Sequence, residues 1–240
     1  ISMINGTYFL TDNGLSITLL ATCRQGWGEL CQLISVSRRR APKGKYQINQ
    51  RDLINCTDHL LCLWHPDLFV MKWINHIEQL QNLFQKRLWI AAHLPENGLQ
   101  ADLAERIEAI AFEQNIPVVA TQRPIMHVRS RLKLQHTLTA IRLKLAISEI
   151  SDELERSSER TLLDKESLLT RYPKSWLHET LNIVDRLNFS LNDLRYEYPK
   201  EICPPHYESE DTFLAELVKD GAYERWPEGI PDQIQILIDK

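Results

Sequence analysis

The 240 residues carry 43% hydrophobic and 25% charged side chains, the balance of a globular protein that buries a core, not of a disordered or fibrous chain. A net charge of −4 gives no global pull toward nucleic acid, so any contact with phosphates must be a local patch. No apolar run approaches the ~20 residues needed to span a bilayer, and no signal peptide opens the sequence. The five cysteines, odd in number and without a C-x-x-C pair, read as reduced thiols of a cytoplasmic protein.

The segments Thr7 to Leu10 and Leu15 to Ala21 flank Asp12-Asn-Gly14, a β-hairpin signal. Gln25 to Ser37 reads as a helix with Leu30, Leu33, Ile34 and Ser37 on one side. Arg38, Arg39 and Arg40, with Lys43 and Lys45, then form a basic cluster around Pro42 and Gly44. Such a cluster fits a solvated helix end, where cations oppose the helix dipole, or a contact with phosphate, whose geometry Arg matches.

His59 to Trp64 reads as a buried strand, and Asp67 to Phe84 as a helix with Trp73, Ile77, Leu80 and Phe84 inward. Leu88 to Ala92 is the next strand, and Gln100 to Gln114 an amphipathic helix. Ile116 to Ala120 is a β-branched run with Pro117 at its start, as suits a covered parallel strand. A loop from Thr121 to Ser130 follows, then a helix whose apolar stripe is Leu134, Leu138, Ile141 and Leu145. Strand and helix alternating in this way predict parallel strands with right-handed crossovers, in a barrel or an open sheet. Loops at the carboxyl ends of such strands carry the chemistry, and this one holds two arginines and a histidine.

Ser151 to Arg160 is charged and exposed in character, Trp176 to Leu187 amphipathic and helical. Phe189 to Pro199 and Cys203-Pro-Pro205 mark a connector. Thr212 to Arg225 and Asp232 to Lys240 read as two helices around a turn. The sequence opens on Ile1 without Met and stops within an amphipathic pattern, so both ends read as cuts through a longer chain.

Met126-His-Val-Arg-Ser-Arg131, followed by Leu134-Gln-His-Thr-Leu-Thr-Ala-Ile-Arg142, resembles the PHP domain of DnaE-type bacterial DNA polymerases. The error-prone (DnaE/ImuC-type) branch of that C family, related to the DNA polymerase III alpha subunit, is the nearest in pattern: G-D-V-H-M-H-V-R-S-R, then L-Q-D-T-L-T-A-I-R. Phe189-Ser-Leu-Asn-Asp-Leu-Arg-Tyr-Glu-Tyr-Pro199 likewise resembles the family's F-S-L-D-E-L-R-Y-E-Y-P, which closes that domain. The resemblance implies an α/β fold, a distorted TIM-like β/α barrel incomplete at its amino-terminal end. It implies a PHP-like domain over 1–198, then a connector and the beginning of the palm over 199–240, with a short helical segment.

A PHP domain that hydrolyses phosphoesters holds several metal ions, which ionise the attacking water and neutralise phosphoryl charge. The family's opening H-x-H ligands have no counterpart in the stretch that resembles it. Gly6-Thr-Tyr-Phe9 aligns with G-x-E-F, so Tyr8 replaces a carboxylate. His93 stands where an acid is expected, Arg123 replaces Asp and Ile125 replaces His. An Arg cation does not ligate a metal and Ile has no lone pair. His127 survives, as a structural histidine or, with His93 across a barrel mouth, as a remnant ligand. No Gly-rich phosphate loop, G-x-S-x-G or H-E-x-x-H motif is present.

The expected function is therefore a non-catalytic structural portion of an error-prone DNA polymerase, acting in replication and damage-tolerant synthesis. Its segment would bind no cofactor, with Mg2+ used in the palm of the whole enzyme. Partners implied by the resemblance are the remaining polymerase domains, DNA, and the sliding clamp and mutasome proteins, with no membrane. Arg38, Arg39, Arg40, Arg129, Arg131 and Arg142 are the candidates for phosphate or interdomain contacts, or for salt bridges that fix their own loops. The alternatives are a metal-dependent phosphoesterase or 3'-5' exonuclease, and a remnant that binds a protein partner.

Overall fold

The computed structural model describes residues 3–54, 57–68, 74–95, 98–195 and 203–239, and it divides into two compact units, Ile1–Leu194 and Arg195–Lys240. The first is an α/β unit built on one mixed sheet of five strands: β1 (Gly6–Leu10), β2 (Ser16–Ala21), β3 (Leu60–Trp64), β4 (Leu88–Ala92) and β5 (Val118–Ala120). Their order across the sheet is the order in the sequence. β1 and β2 form the expected antiparallel hairpin, with Gly14 at φ 86° in its turn, a conformation that L side chains avoid. β2 is antiparallel to β3, while β3, β4 and β5 run parallel.

The hydrophobic pattern accounts for this layering. Every residue of β4 is buried, as a parallel strand covered on both faces requires. One face meets α1 (Arg24–Arg39) through Leu30 and Leu33, α2 (Ile74–Phe84) through Ile77, Leu80 and Phe84, and α3 (Gln100–Gln114) through Leu103, Ile107 and Ile110. On the other, Leu20, Leu61, Trp89 and Val119 pack with Ile183 of α6 (Lys174–Val184). α1 lies close against the sheet because its Gly26 has no Cβ; one there would stand 2.4 Å from the His59 carbonyl oxygen. α3 ends at Asn115, left-handed at φ 51°, as a helix stop requires.

Two expectations change, and a third is not described. Ile34 lies outside the buried side of α1, while Leu30, Leu33 and Ser37 face inward as expected, in line with Gly26. The expected Trp73 contact lies outside the described residues. The helix after the loop forms as α4 (Leu132–Leu143), yet its stripe faces solvent: Leu134, Leu138, Ile141 and Leu145 are 47, 54, 67 and 50% exposed. Its buried side is narrow and small, Thr139 and Ala140.

α5 (Lys165–Arg171) starts on Asp164, whose carboxylate accepts the Ser167 amide N–H at 2.8 Å. The second unit holds α7 (Glu210–Arg225), capped by Ser209, and α8 (Asp232–Ile238). No helix among the described residues is long and apolar enough to cross a membrane.

Candidate functional site

The parallel strands β3, β4 and β5 end side by side, and the residue just after each of the first two is a histidine: His65 after Trp64, His93 after Ala92. Arg123 follows β5 by three residues. Because β2 is antiparallel to β3, its start lies at the same end, where the His65 amide donates to the Ser16 carbonyl at 2.9 Å. Tyr8 of β1 completes the set. These side chains, with Ser16 and Asp67, line a cleft of about 350 Å³. The topology thus brings together three of the positions singled out in the sequence, Tyr8, His93 and Arg123.

Their contacts are specific. The Arg123 guanidinium sits 5.6 Å from the centre of the Tyr8 ring, within cation–π range. It also donates to the Ser16 hydroxyl at 3.4 Å, and that hydroxyl donates to the Tyr8 oxygen at 2.9 Å. His65 meets the Tyr8 ring edge-on at 5.8 Å and shares a hydrogen bond between its Nε2 and the Thr18 hydroxyl at 2.8 Å.

Burial, then the Arg123 charge and His93, push the His65 pKa down to about 4. Burial likewise lowers that of His93; a hydrogen bond to the Thr121 backbone opposes this, while Arg123, Arg160 and Arg171 add to it. Both imidazoles are therefore neutral at pH 7. Each has a buried Nδ1 with no hydrogen-bond partner among the described residues.

Tyr172 holds the frame of the cleft. Its hydroxyl donates to the Thr121 carbonyl at 2.8 Å and accepts the Leu94 amide at 3.3 Å, tying the ends of β5 and β4 together. Arg160 anchors the next residues: its Nε donates to the Arg123 carbonyl at 3.1 Å, its guanidinium pairs with Glu155 at 2.8 Å, and its own carbonyl accepts the Ile125 amide at 2.9 Å.

The remaining candidates lie elsewhere. Ile125 and His127 line a different cleft, of about 310 Å³, with Arg131 and Leu134. The expectation that His93 and His127 share one mouth is thereby corrected, because the chain turns between Arg123 and Ile125 to run beside residues 160–162. Arg129 pairs with Glu159 at 2.6 Å. Arg131 and Arg142 are exposed on α4 and just before it. Of the basic cluster, Arg40 pairs with Asp52, Arg38 donates to the Lys45 carbonyl at 3.2 Å and covers the Tyr46 ring, and Arg39 is exposed.

Sequence reasoning missed His65 and Tyr172. The signal for His65 was its place directly after a buried strand, before Pro66 and Asp67; nothing local marked Tyr172.

The chemistry of this set is that of a cation over an aromatic ring, flanked by neutral imidazoles. Among the described residues no three His, Cys, Asp or Glu side chains gather as a metal-binding group. The Arg123 guanidinium lining the cleft disfavours a divalent ion there.

No family model matches the chain. Curated relatives do. It is 37% identical over 238 residues to an error-prone DNA polymerase of Methylococcus capsulatus, covering 97% of this chain and 22% of the relative. The error-prone DNA polymerases of Vibrio parahaemolyticus and Alkalilimnicola ehrlichii are each 35% identical, over 100% and 99% of this chain and 23% of the relative. The chain thus spans between a fifth and a quarter of the length of these relatives.

Proposed function

We propose, from the premise that this chain is homologous along its whole length to one segment of the error-prone DNA polymerases, that it is the PHP-type domain of such an enzyme. Its sheet is a sector of the distorted barrel, and its role is structural: it braces the palm and positions neighbouring domains in the cytoplasm. The segment itself takes no metal, and the nucleotidyl transfer with its Mg2+ belongs to the palm.

The observation that carries this reading is Arg123, seated over Tyr8 at the carboxyl ends of the strands, where the resembled family places its metal-binding acids. The residues present do not fit a cluster of divalent ions. A cation occupies the cleft, the Thr18 hydroxyl engages Nε2 of His65, and both Nδ1 atoms are buried. Ile125, at a position where the family has a ligand, lines another cleft.

The test is metal analysis of the purified polymerase segment, together with phosphoester cleavage in the presence and absence of chelator. The expected result is no stoichiometric Zn2+, Mn2+ or Fe and no chelator-sensitive cleavage. Two or three bound transition ions, or cleavage lost on Arg123→Ala, overturns the reading.

A further inference from the structure

The least explained surface of the first unit is the outer face of α4. Leu134, Leu138, Ile141 and Leu145 follow at intervals of four, three and four residues, the spacing of a narrow helix–helix seam and not of a broad core-facing stripe. All four are about half exposed or more. The helix stops just short of the last of them: Lys144 is left-handed at φ 58°, and the Leu145 amide returns to the Ala140 carbonyl at 3.2 Å. Within the helix the seam runs from Leu134 to Ile141, roughly 10 Å at ~1.5 Å per residue, with Leu145 just past the helix end. Four large apolar side chains in one line are more than the scattered exposure usual on a soluble surface.

Charge narrows the occupant. α4 contains no acidic residue, and its outer face is flanked by Arg131, Lys133, Arg142 and Lys144, none of which has an ion-pair partner among the described residues. A DNA-binding helix would present its cations without four exposed leucine-type side chains between them, since phosphate contact is carried by charge. A protein helix with an apolar ridge and carboxylates along its edges satisfies both features. Relatives carry more than three quarters of their length outside the segment matched by this chain.

We propose that α4 is an interdomain docking helix: its Leu134–Leu145 seam receives an amphipathic, acid-edged helix from the remaining part of the same polymerase chain. This rests on the reading of the chain as one domain of that enzyme, and gives it a contact surface.

The test uses the complete polymerase that carries this segment. A photo-crosslinking amino acid in place of Leu138 is expected to link to residues of the same chain beyond this segment, on a helix with acidic neighbours. The same probe in place of Phe112, 90% exposed on α3, reports the background. Leu138→Asp with Ile141→Asp is expected to lower the melting temperature of the transition that includes this segment, and Phe112→Asp to leave it unchanged. Crosslinks to DNA, to a second copy or to a separate protein overturn the proposal, as does an unchanged melting temperature in the double variant. Neither readout depends on metal content or phosphoester cleavage, so this inference and the proposed function fail on different results.

Discussion

His65 is the residue whose chemistry depends most on its surroundings. Its pKa of about 4 in the folded protein lies below the ordinary value of 6.5, chiefly through burial. The unfolded chain therefore binds a proton that the folded one refuses as pH falls below 6.5. Stability is full above that pH and drains away toward pH 4, by up to about 2–3 kcal/mol. His65→Gln is expected to flatten this part of the stability–pH curve, which urea titrations at pH 7, 6, 5 and 4.5 would show. A slope unaltered by the substitution would place the acid sensitivity in other groups. The sequence made Tyr8, His93 and Arg123 legible through departures from a motif. It gave no comparable mark to His65, because a histidine after a strand becomes a buried neutral base only once Thr18, Tyr8 and Arg123 have folded around it.

At the level of elements, the clearest dependence is that of two strand ends on one hydroxyl. Tyr172 is 3% exposed, and its oxygen serves both Leu94 and Thr121. Tyr172→Phe leaves the packing and removes both bonds, so a loss of about 1–3 kcal/mol is expected in chemical denaturation; a loss below ~0.3 kcal/mol would mean that water replaces the hydroxyl. The strands and most helices could be read from periodicity, since β3 and β4 are continuous apolar runs and α3 alternates with turn. The orientation of α4 could not. Periodicity reports that an apolar stripe exists and is silent about whether its cover lies within the same domain. Thr139 and Ala140, which do face inward, carry too little hydrophobicity to stand out.

For the whole molecule, the separation between structural and nucleic-acid roles can be put to a number. Of Arg38, Arg39 and Arg40, two are engaged internally, with Lys45, Tyr46 and Asp52. In the intact polymerase, replacing all three by Ala is therefore expected to change the slope of log affinity against log salt by about one at most, not the ~3 of three phosphate contacts. Filter binding on duplex DNA at several salt concentrations checks this, and a change near three would make the cluster a DNA-binding patch. The architecture has one further consequence. Strand order in the sheet repeats order along the chain, so each strand docks beside the one made just before it. Folding during synthesis can then proceed from the hairpin outward, each newly emerged β-segment finding its neighbour among those already made.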